Sequence, residues 1–109
     1  WALPICRDEH KETLRAAMPE GLKHHPSEYV MSGRYYQSIE TSEGEKVTNM
    51  VADIVGEDIL MYASDYPHGE SPFPEGCNTV LKWASMSDTR KKKLFWDNAV
   101  RFYARSGLV

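Results

Sequence analysis

The sequence lacks every short catalytic motif that can be recognised without structural context. Its 109 residues contain no glycine-rich phosphate loop, no G-x-S-x-G turn, no H-E-x-x-H helix and no metal-spaced cluster of cysteine and histidine. Cysteine is scarce too, since Cys6 and Cys77 lie far apart and neither belongs to a CxxC pair. The simpler interpretation is therefore that both cysteines are free thiols in a protein of the reducing cytoplasm. A single disulfide between them is the alternative.

Two further absences exclude classes of partner. No apolar run approaches the roughly 18–20 residues of a membrane-spanning helix, and no signal peptide is recognisable. The formal net charge of −3 is opposite in sign to a nucleic-acid-binding face. The one basic run, residues 90–93, opens a predicted helix and is interpreted as a solvated face. We therefore expect neither nucleic acid nor a membrane as a partner.

The composition that remains is that of a folded protein. Hydrophobic residues make up 41% of the chain and aromatic residues 11%, which is enough for a packed core. A length of 109 residues corresponds to one domain at most, or to a piece of one. Because the sequence begins with Trp1 rather than methionine, we expect the chain to be a product of cleavage or a segment whose ends were chosen.

The middle of the chain predicts a strand, a helix and a second strand. Residues 34–40 (RYYQSIE) are typical of a strand, and residues 59–63 (ILMYA) of a strand buried on both faces. Ser42 and Glu45 would form the capping box of the helix, and Gly56 its C-cap. Its apolar face repeats at three- and four-residue spacing, through Val47, Met50, Val51, Ile54 and Val55. This order suits a parallel βαβ unit.

The flanking segments add helices but no strands. Residues 4–18 predict an amphipathic helix and residues 19–33 a loop, while residues 77–86 and 88–105 predict two further helices. The fold class is thus α/β with too few strands, because two parallel strands cannot form a sheet that is covered on both faces. A closed (β/α)8 barrel needs roughly 250 residues. Either other chains complete the sheet, or the chain is the tail of a larger barrel.

The candidate functional residues follow the second predicted strand. Asp65 comes where that strand should end, and ligands of parallel α/β proteins bind at the carboxyl ends of strands. Its short side chain suits a metal ligand or a proton-transfer carboxylate, and a turn or N-cap aspartate is the alternative. His68 is either a substrate contact or an exposed turn histidine. The adjacent His24 and His25 lack the spacing of metal ligands and are interpreted as a solvated loop.

Two motifs carry a resemblance to a known family. They are SDYPH, at residues 64–68, and WDNAVRFY, at residues 96–103. The segment from residue 58 to residue 108 that contains them resembles the C-terminus of the amidohydrolase-related metal-dependent hydrolases. This is the TIM-barrel branch that also includes the aminocarboxymuconate semialdehyde and resorcylate-type decarboxylases. Residues 1–30 are similar to the segment before the seventh strand of that family, so the resemblance covers nearly the whole chain.

The resemblance implies a fold and roles for particular residues. The chain would be the C-terminal fragment of a TIM (β/α)8 barrel, with strand seven near residues 34–40 and strand eight near residues 59–64. Asp65 would be the strand-eight aspartate, which ligates or neighbours a divalent metal, usually zinc, and handles the proton of the water that the metal activates. His68 is a lesser catalytic candidate. Asn98 and Arg101 would tie the terminal helix to the barrel.

The chain also departs from the family pattern. The first-strand H-x-H or E-x-H motif and the histidines of the middle strands are absent from the sequence. A zinc site needs about three protein ligands, so we expect the isolated chain neither to hold metal tightly nor to turn over substrate. Two hypotheses follow. Either the chain belongs to an enzyme that hydrolyses a C–N or C–O bond or decarboxylates a small carboxylic acid, or it is a self-associating fragment with a structural role only.

Overall fold

A computed structural model describes residues 24–104 and 106–107 of the chain. The predicted helix over residues 4–18, His10 and Cys6 lie outside the described residues. In chain order, the helices and strands are α1 (Pro26–Tyr29), a π-helical segment (Val30–Arg34), β1 (Gln37–Ile39), a 3-10 turn (Thr41–Glu43), α2 (Gly44–Val55), a second 3-10 turn (Glu57–Ile59), β2 (Leu60–Tyr62), α3 (Gly76–Leu81) and α4 (Asp88–Lys92), which continues through a π-helical segment (Lys93–Asp97) into α5 (Asn98–Ala104). We call the continuous run from α4 to α5 the C-terminal helix.

The two strands pair in parallel, as the strand, helix and strand order predicts. Ser38 lies opposite Met61 in the register, and the ladder ends where the Ala63 N–H donates to the Ile39 carbonyl at 2.9 Å. Each strand is only three residues long. The prediction of a parallel βαβ unit is confirmed, with strands shorter than the apolar runs that indicated them.

Helices cover one face of this small sheet. Ile39 and Leu60 are 4% and 2% exposed and belong to the main apolar core, which also takes residues from α2, α3 and the C-terminal helix. Because side chains alternate along a strand, Ser38 and Met61 lie on the opposite face, where Ser38 is exposed and Met61 half-buried. The prediction that residues 59–63 are buried on both faces is not met beyond Leu60, because Met61, Tyr62 and Ala63 are only half-buried.

Helix α2 is buried along a different stripe from the one predicted. Val51 and Val55 are in the core as expected, and they are joined by Thr48 and Ala52. Thr48 can be buried because its hydroxyl donates to the Gly44 carbonyl one turn earlier, at 2.9 Å. Three of the predicted core residues are instead 38–48% exposed on the flank of the helix: Val47, Met50 and Ile54.

The ends of α2 agree only in part with their sequence signals. The predicted capping box of Ser42 and Glu45 is wrong, because the Glu40 N–H donates to the Glu43 carboxylate at 3.3 Å instead. The Glu45 carboxylate accepts from the hydroxyl of Ser85 at 2.7 Å. The C-cap prediction is confirmed. Gly56 has a φ of 99°, and its N–H donates to the Ala52 carbonyl at 3.0 Å.

Part of the predicted loop over residues 19–33 is helical. Pro26 occupies the first turn of α1, where its fixed φ and missing N–H are compatible with a helix. The helical segment continues to Arg34 and contains a kink at Gly33, whose φ is 78°. Val30 packs against the core from this segment. Pro26 and Gly33, two of the residues that predicted a loop, therefore mark a helix start and a kink instead.

Asn98 joins the C-terminal helix to the start of β2. It is fully buried, and its Nδ2 donates to the carbonyls of Glu57 and Leu60, both at 2.8 Å. Nearby, Arg101 lies 3.6 Å from the carboxylate of Asp58. The expectation that Asn98 and Arg101 tie the terminal helix to the sheet is confirmed, and Asn98 makes much the closer contacts.

The basic run at residues 90–93 is not simply a solvated face. Arg90 binds the Glu57 carboxylate through Nε at 2.9 Å and Asp53 through Nη2 at 2.8 Å. Lys93 binds the other oxygen of Glu57 at 2.7 Å and also reaches Asp58 at 3.0 Å. These basic side chains are about one quarter exposed. The prediction is wrong for Arg90 and Lys93, because acidic residues of α2 and the second 3-10 turn face them.

Replacing Asn98 with alanine tests the bridge. The change removes one buried and one partly buried hydrogen bond and leaves two carbonyl oxygens without this donor, so we expect the free energy of unfolding to fall by about 2–4 kcal/mol. Urea denaturation measures the change. Asn78→Ala is the matched control, since the Asn78 amide makes one exposed bond to Glu75, and it should cost less than about 0.5 kcal/mol. Equal effects from the two variants would contradict a bridging role.

The ion pairs of Glu57 and Asp58 predict the acid sensitivity of the fold. Hydrogen bonds from Lys93 are the main cause that lowers the pKa of each carboxyl from its ordinary value, 4.5 for Glu57 and 3.8 for Asp58. The unfolded chain then binds more protons in acid, so this stabilisation is complete above the unfolded pKa and is lost as pH falls through the folded pKa. We expect the urea midpoint to fall in acid, and to fall less steeply in Glu57→Gln. Glu70→Gln, on an exposed turn, should retain the wild-type slope; an unchanged slope in Glu57→Gln would refute the assignment.

Candidate active-site loop

Asp65 adopts an unusual backbone conformation just beyond β2. Its φ is +56°, and no other described residue apart from glycine has a positive φ. The left-handed region costs an L-residue roughly 1–2 kcal/mol, although aspartate and asparagine tolerate it better than most. Backbone strain of this kind collects at functional sites. A turn aspartate would share this geometry, so the position and neighbours of Asp65 decide between the two interpretations.

The structure brings together the two residues that the sequence singled out. Nδ1 of His68 lies 3.3 Å from Oδ2 of Asp65, and the His68 N–H donates to the Asp65 carbonyl at 2.9 Å. The two side chains are 77% and 41% exposed, so both are open to solvent and to a ligand. A carboxylate and an imidazole at this distance are ordinary components of acid and base chemistry.

A serine that the sequence analysis missed closes the loop around this pair. The hydroxyl of Ser71 donates to the Ser64 carbonyl at 2.5 Å and accepts from the Phe73 N–H at 3.3 Å. The Ser71 N–H donates to the His68 carbonyl at 3.0 Å. No motif or spacing marks Ser71, since serine is ordinary in a loop rich in proline and glycine. Only the folded loop shows that it contacts the segments on both sides of Asp65.

Two exposed aromatic rings lie on the same loop. Tyr66 and Phe73 are 65% and 59% exposed, and their ring centroids are 4.6 Å apart at an angle of 45°. This offset, tilted arrangement is typical of favourable aromatic pairs. Because Tyr66 follows Asp65 directly, the pair gives the loop an apolar surface next to its acidic side chain.

The far end of the loop is fixed to the ends of both strands. The hydroxyl of Thr41, just after β1, donates to the Gly76 carbonyl at 3.2 Å and lies 3.4 Å from the Tyr62 hydroxyl. The Tyr62 ring packs on Phe95 with centroids 4.8 Å apart. Burial is the main cause that raises the pKa of the Tyr62 phenol, and the neighbouring Cys77 adds to it. The loop from Ser64 to Gly76 is therefore held at both ends.

The described residues do not make up a complete metal site. No group of three or more histidine, cysteine, aspartate or glutamate side chains converges anywhere in residues 24–104 and 106–107. Asp65 and His68 offer one carboxylate and one imidazole, whereas a zinc site needs about three protein ligands. His24 lies 3.9 Å from the Glu28 carboxylate, and the thiol of Cys77 is free and exposed.

Comparison with known proteins identifies one related family. The sequence model described as Amidohydrolase matches residues 2–105, which is nearly the whole chain. No curated protein matches the sequence. Within the described residues, no helix is both long enough and apolar enough to cross a membrane.

The close packing at Gly76 predicts a severe steric effect. A Cβ atom at this position would collide with the Tyr62 hydroxyl and would lie 3.1 Å from side-chain atoms of Pro72 and Thr41. We expect Gly76→Ala to destabilise the fold by about 1–3 kcal/mol, in the range of other overpacked sites. Urea denaturation of Gly76→Ala, Tyr62→Phe and the double variant measures the coupling.

The double variant tests the cause. Tyr62→Phe removes the colliding oxygen, so it should recover part of the stability lost in Gly76→Ala. Additive effects of the two changes would show that the Tyr62 hydroxyl does not limit the space at Gly76.

Proposed function

Because the chain belongs to the amidohydrolase family, we propose that it is the C-terminal part of a metal-dependent enzyme with Asp65 at its active centre. The observation that carries the proposal is the position of Asp65, at the carboxyl end of a parallel strand, in a left-handed conformation and beside His68. Active sites of α/β barrels lie at this end of the strands. A carboxylate fixed there by the backbone suits metal ligation or proton transfer.

The uneven burial of the sheet supports a place in a barrel wall. Helices cover the face that carries Ile39 and Leu60, while Ser38 and Met61 face away from them. In a (β/α)8 barrel, helices pack on the outside of the sheet and other strands complete the inside. We assign β1 and β2 to strands seven and eight of such a barrel. The outer edges of β1 and β2, which are unpaired among the described residues, would then pair with strands that this chain does not supply.

Four residues of the loop have a role in this proposal. Asp65 would supply one oxygen ligand to a divalent metal, with zinc expected, and would accept a proton during the reaction. The metal itself would supply Lewis-acid chemistry, and its other ligands would come from outside the described residues. His68 would contact the substrate or pass a proton, since its imidazole is exposed and within 3.3 Å of Asp65. Tyr66 and Phe73 would limit the access of water from their side.

Two reaction classes are compatible with these residues. The enzyme would hydrolyse a C–N or C–O bond, or it would decarboxylate a small carboxylic acid, in a reducing cytoplasm. Both classes need a carboxylate that handles a proton, and Asp65 serves either. Nothing in these residues chooses between the two reactions, and we expect the substrate of either one to be a small molecule.

A second candidate function rests on exposed apolar surface. Val47, Met50 and Ile54 form an exposed apolar stripe on α2, and the outer strand edges are unpaired within the part of the chain that the structure describes; both features favour association. On this hypothesis the chain is a self-associating fragment with a structural role only. Its copies would bury the stripe and the open sheet face, and Asp65 would be an ordinary turn residue.

Replacing Asp65 with asparagine in the full enzyme tests the proposed function. Asparagine keeps the size and tolerates the left-handed conformation, so the fold should be retained while kcat/KM falls by at least about 100-fold, as is usual when an acid–base group is lost. Steady-state kinetics measure the loss. Native mass spectrometry of the same proteins reports bound metal and the number of copies, and we expect less metal in the variant.

The matched control is Asp88→Asn, on the exposed first turn of the C-terminal helix. It should retain wild-type activity and metal content. If Asp65→Asn behaves like Asp88→Asn in both measurements, Asp65 has no catalytic role. A metal-free oligomer that is unaffected by either change would support the self-associating fragment instead.

A further inference from the structure

We propose that Ser71 is a positioning residue that holds the Asp65 carboxylate in place by fixing the two peptide groups on either side of Asp65. The inference rests on the proposed function of Asp65 for its catalytic consequence, but the geometric part stands on its own. It assigns to an unremarkable loop serine the task of keeping Asp65 in a strained conformation.

The first peptide group joins Ser64 to Asp65. Its carbonyl oxygen accepts the hydroxyl of Ser71 at 2.5 Å, the shortest hydrogen bond that the loop makes. Rotation about φ of Asp65 would turn this peptide group relative to the Asp65 Cα. The bond from Ser71 therefore opposes relaxation of φ from +56° to the negative values that an L-residue prefers.

The second peptide group joins Asp65 to Tyr66. Its carbonyl oxygen accepts the His68 N–H at 2.9 Å, and its N–H donates to the Ser64 hydroxyl at 3.3 Å. The Ser71 N–H donates in turn to the His68 carbonyl at 3.0 Å. Ser71 thus contacts the first peptide group through its side chain and supports the second through its backbone. With both groups held, φ and ψ of Asp65 are fixed together, and the direction of its Cβ is fixed with them.

The hydroxyl of Ser71 is needed because it acts as donor and acceptor at once. It donates to Ser64 and accepts from the Phe73 N–H at 3.3 Å, so it joins the start of the loop to a residue near its end. Alanine can do neither. Threonine keeps the oxygen on the same carbon. A distortion caused by loss of the hydroxyl should therefore appear in Ser71→Ala and be absent from Ser71→Thr.

NMR spectroscopy of the isotopically labelled chain reads the conformation of Asp65 directly. A positive φ brings the Hα of a residue close to its own amide proton, which gives a strong nuclear Overhauser effect between them. We expect this effect at Asp65 in the wild-type chain and in Ser71→Thr, and we expect it to weaken markedly in Ser71→Ala. If Ser71→Ala does not fold, Ser71→Cys replaces it, because a thiol has a similar size and is a much weaker donor.

Ser106→Ala is the matched control for the loss of a serine hydroxyl. That hydroxyl also donates to a carbonyl, that of Tyr103, at 2.6 Å, but at the end of the C-terminal helix. The control should leave the Asp65 signal unchanged. An Asp65 effect of wild-type strength in Ser71→Ala, or in Ser71→Cys where that variant is used, would overturn the proposal whatever the activity shows.

Kinetics of the full enzyme separate this inference from the proposed function. Loss of a residue that orients a ligand or catalytic group commonly costs 10- to 100-fold in activity or metal affinity, so we expect kcat/KM to fall by about that factor in Ser71→Ala and to recover in Ser71→Thr. If Asp65→Asn is inactive and Ser71→Ala is fully active, positioning by Ser71 fails and the proposed function stands. If Asp65→Asn is fully active, the proposed function fails, and the NMR result alone decides what Ser71 does to the backbone.

Discussion

The fold depends on the double hydrogen bond from the Asn98 amide. Its Nδ2 reaches the carbonyls of Glu57 and Leu60, which flank the entry into β2. The C-terminal helix, the second 3-10 turn and the strand are thus joined at one fully buried point. A buried amide of this kind specifies one arrangement, because its carbonyl partners would be costly to leave unpaired. Leu94, one turn earlier on the same helix, packs into the core beside it.

The ion pairs around Glu57 complete this junction at its surface. Arg90 and Lys93 each take one oxygen of the Glu57 carboxylate, so a residue just before β2 is bound by side chain and backbone to the same helix. Pairs that are only partly exposed are screened less by solvent than free surface pairs. Strand β2, which leads to the candidate loop, is therefore anchored where it begins. This anchoring sets the direction in which the chain runs from β2 to Asp65.

The candidate loop begins at an anchored strand, β2, and carries an exposed residue in a strained backbone conformation. Asp65 lies three residues beyond the end of β2, in a left-handed conformation, and the Ser71 and Thr41 hydroxyls hold the loop on either side of it. Strain at a functional residue persists only where its surroundings oppose relaxation. Among the described residues, Ser38 is exposed on the second face of the sheet and the outer edges of both strands are unpaired, which is the arrangement expected of one section of a barrel wall.

The sequence alone determined the βαβ order and the C-cap at Gly56, and it singled out Asp65 as the candidate residue, because periodicity, glycine conformation and the abrupt end of an apolar run are local signals. Only the tertiary structure decided that Thr48 is buried while Val47 is exposed, since the direction of the sheet, and not the spacing of apolar residues, selects the buried stripe of a helix. The contacts of Arg90 and Ser71 were likewise decided only by the tertiary structure. Their partners are distant in sequence or hidden in a loop, and a hydrogen bond or ion pair of that kind exists only once the chain has folded.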